Sequence, residues 1–60
     1  MTLAELKKLY PVKATKSDDD RDVVIKIKKR MARLGDDGHY SVTLPDGTVA
    51  EVNRMFVDWM

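Results

Sequence analysis

Apolar residues recur every third or fourth position from Val23 to Leu34, then every second position from Tyr40 to Val52. The first spacing belongs to an amphipathic helix and the second to half-buried strands. At about 100° per residue, Val23, Val24, Ile27, Met31 and Leu34 share one stripe of a helix. The spacing and its flanks predict one long helix over Ser17–Gly35. Ser17 suits the N-cap, with Asp20 completing a capping-box pattern. Asp18, Asp19, Asp20 and Asp22 sit at the positive end of the helix dipole. Lys28, Lys29, Arg30 and Arg33 sit at the negative end, and Gly35 is a natural stop. Lys26, Lys29, Arg30 and Arg33 form a separate basic face. Asp18, Asp19 and Asp22 lie on that side a turn or two earlier, and Asp22–Lys26 makes an acid-first i, i+4 pair. Ile25 points away from the apolar stripe, with Ala32 beside it. The run from Val23 to Lys28 is β-branched enough to read as a strand. Two caps and a period that continues to Leu34 favour the helix.

Thr2 and Glu5 repeat the capping-box spacing and open a short helix over Leu3–Leu9, with Leu3, Leu6, Leu9 and Tyr10 on its apolar side. Pro11 ends it, and Val12 is the one apolar anchor in the connector Pro11–Lys16. Gly35 to Gly38 reads as a turn. Pro45-Asp46-Gly47 then predicts a three-residue hairpin loop with Gly47 at positive φ. That loop pairs Leu44 with Thr48, Val42 with Ala50 and Tyr40 with Val52, which buries no charge. A two-residue turn would instead put Val49 and Glu51 inside. For Asn53–Met60 two readings stand: a short helix capped by Asn53, or a third strand with Met55, Val57 and Trp59 alternating.

These elements fit one small α+β domain over residues 1–60. In it, a short helix and a β-hairpin pack on one long amphipathic helix, and a C-terminal short helix or strand closes the end. A 60-residue chain buries only about 60% of the surface its unfolded form exposes, so stability is marginal. There is no cysteine and one histidine, His39, which leaves neither a thiolate nor a convincing metal set. No run approaches the ~18 apolar residues of a membrane span. The first ten residues lack the apolar core of a signal peptide, so a cytoplasmic protein is expected. Net charge is +1 with 35% charged residues, a balance that marks neither a strong nucleic-acid binder nor an acidic mimic.

Candidate chemistry is sparse. Consecutive aspartates on a helix diverge and do not converge on a cation. Asp36, Asp37 and His39 mix carboxylate and imidazole but lack a partner set for catalysis. No cofactor and no catalytic residue is expected, and an enzyme is not. Met55, Phe56, Val57, Trp59 and Met60 crowd the last six positions, and one helix or strand cannot turn them all inward. Aromatic and methionine side chains are enriched at binding surfaces. The expected protein interface is therefore Phe56, Trp59 and Met60, with Ile25 as a second surplus apolar residue.

The leading expectation is a non-enzymatic regulatory module that binds a larger protein and modulates or inhibits it. Small phage-encoded proteins that block a host protein share its size and composition, an analogy from size alone. The alternative is a DNA- or RNA-binding regulator, reduced winged-helix-like, that uses Lys26, Lys29, Arg30 and Arg33. The aspartates at the start of the helix count against base contacts there. A homodimer through the tail is compatible with either reading.

Overall fold

The computed structural model describes residues 1–60. Two helices, α1 (Leu3–Leu9) and α2 (Asp20–Leu34), precede three strands: β1 (Tyr40–Thr43), β2 (Val49–Val52) and β3 (Val57–Trp59). The strands form one antiparallel sheet in the order β1-β2-β3. Both helices cover the same face of it. Leu3 and Leu6 of α1 and Val23, Val24, Ile27 and Met31 of α2 cluster with Val42, Leu44, Ala50 and Val52. The protein is thus a two-layer α+β domain with one bare sheet face.

The capping box at α1 forms as its spacing predicts. Thr2 Oγ1 accepts the Glu5 amide at 3.2 Å, and the Glu5 carboxylate accepts the Thr2 amide at 3.2 Å. At α2 the box sits two residues later than Ser17 and Asp20 suggest. Asp19 is the N-cap: it accepts the Asp22 amide at 2.9 Å, and Asp22 accepts the Asp19 amide. Ser17 belongs instead to a turn in which the Asp18 carboxylate takes the Thr15 amide. Aspartate accepts such a bond as well as serine does, so neighbouring boxes compete. The box starting at Asp19 leaves Asp18 free to bond elsewhere. The helix ends as expected, with Gly35 left-handed at φ 68 and the Gly35 and Asp36 amides returning to Ala32 and Met31 carbonyls.

Two leucines in the predicted apolar stripes are exposed. Leu9 and Leu34 are the last residues of their helices, and both are more than half exposed. Periodicity gives the direction of a side chain and not whether anything stands opposite it.

The Pro45-Asp46-Gly47 loop forms, with Gly47 at φ 91. The Leu44 amide donates to Thr48 O at 2.8 Å, and the Gly47 amide to Leu44 O at 2.9 Å. Tyr40 pairs with Val52 and Val42 with Ala50, so the charge-free register is the one adopted. Of the two readings of the C-terminal segment, the strand is adopted. Asn53 caps no helix. Its buried side-chain oxygen accepts the Met55 amide at 2.7 Å and the Phe56 amide at 3.0 Å, which turns the chain into β3. Met55 lies in that turn and not in the strand.

Candidate interaction surfaces

The sheet has two unlike edges. In an antiparallel ladder, alternate residues aim their backbone groups at the neighbouring strand. On β1 the outward residues are Ser41 and Thr43. The Thr43 amide donates to Met1 O at 2.8 Å, and the Met1 amino group donates to Ser41 O at 2.8 Å. The N-terminal segment therefore covers that edge. On β3, the Met60 amide bonds Val49 O and Phe56 O accepts the Asn53 amide. Phe56, Asp58 and Met60 thus face β2, and Val57 and Trp59 aim their N–H and C=O groups outward. β3 pairs with β2 alone, so its outer edge is open.

Apolar residues line both sides of this edge. On the bare sheet face, Phe56 is 56% exposed and Met60 72%, and Met55 in the adjoining turn is 75% exposed. On the helix side, Val57 and Trp59 are half-buried against the core. The Arg21 guanidinium lies 5.1 Å from the Trp59 ring centroid, a cation–π distance. Arg21, Ile25, Lys28 and Ala32 occupy one stripe of α2 about 60° wide. Arg21 fixes that stripe on the β3 side, so the exposed Ile25 belongs to the same border. The four residues expected at a protein interface therefore do not share one face. Phe56 and Met60 stand on the bare sheet face, with Trp59 and Ile25 on the helix side, and the open edge of β3 joins the two sets. Arg21 escaped sequence reasoning, although its i, i+4 spacing to Ile25 was a usable signal.

On the bare sheet face, Glu51 pairs directly with Asp58. Like charges opposite one another across a strand pair repel, and neither carboxylate forms a salt bridge.

The second surface lies on the other flank of α2. The connector after Pro11 runs back along the helix. With it, Lys26, Lys29, Arg30 and Arg33 line a groove of about 350 Å³ that also includes Pro11, Val12 and Lys13. The expected basic face is thus brought together, with Lys13 added from the connector. Lys26 donates to Lys13 O at 3.0 Å and pairs with Asp18 at 2.5 Å. The expected Asp22–Lys26 pair is absent: the Lys26 ammonium goes to Asp18 and Lys13 O, and the Asp22 carboxylate faces the N-cap amide. The hydrogen bond from Lys26, and then that from the Thr15 amide, hold the Asp18 carboxyl below its ordinary pKa.

The turn at Asp36 to His39 has a structural occupation. The Asp36 carboxylate accepts the Tyr10 hydroxyl and, at 2.8 Å, the Gly38 amide. The Tyr10 and Tyr40 hydroxyls lie 3.1 Å apart, and His39 is exposed beside them. No helix is long and apolar enough to cross a membrane. No protein-family model matches the chain, and comparison with curated proteins and with solved structures returns no match to either.

Proposed function

We propose that this protein is a non-enzymatic regulatory module that binds a larger protein along the border of β3. The observation that carries the reading is the open β3 edge, flanked on both sides by exposed apolar residues. Outward N–H and C=O groups in a row are complementary to another extended backbone, and strand addition is a recurrent way for peptides to bind sheets. An added strand would cover Phe56 and Met60 with alternate side chains and approach Trp59 and Ile25 with the others. A Lys or Arg of the partner placed over Glu51 and Asp58 would relieve their repulsion. The partner this border suits is therefore an extended segment, apolar on both faces, with a cation on the side of the bare sheet. Covering part of a larger protein in this way would modulate or block it.

The test is affinity capture from a native lysate with the parent chain, Phe56→Ala and Val57→Pro. Proline at position 57 removes an outward N–H, which an edge strand tolerates, and replaces a side chain that is only half-buried. One protein retained by the parent at stoichiometric yield, indifferent to nuclease and salt and lost with both folded variants, supports the reading. Equal retention by the folded variants rejects it. A mass that doubles with concentration for the parent and not for Val57→Pro would make the occupant a second copy of this chain.

A further inference from the structure

We infer that the groove between the connector and α2 binds the phosphate backbone of a nucleic acid, without reading its sequence. Five cations line it: Lys13, Lys26, Lys29, Arg30 and Arg33. The protein forms two ion pairs, Lys26–Asp18 and Arg54–Asp37, so Lys13, Lys29, Arg30 and Arg33 carry no counter-charge. The helix dipole accounts for cations near the end of α2. It does not account for Lys13, which the connector brings to the same groove from another part of the chain. Like charges collected around one concavity repel unless an anion joins them.

The ligand's form follows from the layout. The cations of α2 run from Lys26 to Arg33, about 10 Å along the axis at 1.5 Å per residue. Lys26 with Arg30 and Lys29 with Arg33 repeat one helical turn apart, which suits a linear ligand with successive charges. Arginine forks match phosphate oxygens, and lysines supply point charge. Asp18 and the Asp19–Asp22 capping box mark the other end of α2 and limit the footprint to its C-terminal half. No aromatic side chain lines the groove, whose lining beyond the cations is Pro11 and Val12. Base stacking has no platform there, so contacts fall on phosphates, which position a ligand without specifying its sequence.

The test is fluorescence anisotropy with labelled DNA duplexes of unrelated sequence, across a salt series. With about four phosphates neutralised, affinity should fall roughly 100-fold between about 50 and 200 mM salt, and equally for every duplex. Lys29→Gln with Arg33→Gln should lower the salt slope by about 2. Lys7→Gln with Lys8→Gln changes net charge equally but lies outside the groove, and it should leave the slope unchanged. Val57→Pro should bind duplex as the parent does, which separates this site from the β3 border. Equal loss in both double variants would reduce the effect to net charge and overturn the assignment. Displacement by polyglutamate as effective as by unlabelled duplex would overturn it too, as would no binding at low salt.

Discussion

The two hairpins of this sheet share β2 and differ in almost everything else. The β1–β2 hairpin turns on Pro45-Asp46-Gly47, buries Val42, Leu44, Ala50 and Val52, and has its outer edge covered by Met1 and Thr2. The β2–β3 hairpin turns on Arg54-Met55, buries Val57 and Trp59 only by half, and leaves its outer edge open. A two-residue hairpin loop normally needs positive φ, yet neither Arg54 nor Met55 has it. The Asn53 side chain supplies the closure that backbone geometry does not. One hairpin is therefore held by its loop, its core and its covered edge, whereas the other depends on the Asn53 side chain to close its turn and on half-buried contacts along one face. Elements with few buried contacts open first, and the border proposed to bind a partner lies on the weaker hairpin.

The contrast can be broken at either turn. Asn53→Ala should have the largest effect, about 2 kcal/mol, since it strands two amides that the buried oxygen now accepts. Hydrogen exchange should then show the Phe56 and Met60 amides losing protection while the Leu44 amide keeps its own. Gly47→Ala should cost roughly 1–2 kcal/mol by chemical denaturation, the penalty of a left-handed non-glycine residue. The whole domain should weaken uniformly, because the hairpin involved is part of the core. Thr2→Ala removes the α1 cap and should cost about 1 kcal/mol. It should also speed exchange of the Thr43 amide by loosening the cover over β1. Val57→Pro should cost under about 1 kcal/mol, because the donor it removes bonds nothing within the protein and the Val57 side chain it replaces is only half-buried against the core.

Acid should have the smallest effect. Hydrogen bonds hold the Glu5, Asp18 and Asp46 carboxyls below their ordinary pKa values, chiefly from the Thr2 amide, the Lys26 ammonium and the Thr48 amide respectively. A carboxyl depressed in the folded state stabilises it above the unfolded pKa, and the benefit fades as pH falls through the folded value. A shallow loss of stability below about pH 4 should result. It should flatten in Asp46→Asn, which lacks the carboxylate beside the first turn.

The same contrast explains what could be read from the amino acids alone. Glycine and proline at a turn leave a local signature, so the first hairpin was legible down to its register. Asn53 acts through bonds to residues two and three positions on, and its alternative as a helix cap uses the same chemistry. Helix and strand were therefore both open for the segment that follows. The basic face of α2 was legible from spacing, whereas Lys13 entered the groove only because the connector doubles back. The residues proposed to form the interface were recognisable as surplus apolar side chains. Their division between two faces of β3 depends on pairing with β2, which no local pattern encodes.

Trp59 is the only tryptophan in the chain, and it lies half-buried at the β3 border beneath the Arg21 guanidinium. The protein therefore carries its own optical reporter. A partner strand arriving at β3 should dry the indole or displace the arginine, and either event shifts emission wavelength or intensity. A polyanion filling the groove on the opposite flank of α2 touches neither group and should leave the spectrum unchanged. Intrinsic fluorescence can thus tell the two surfaces apart in unlabelled protein, with no substitution made.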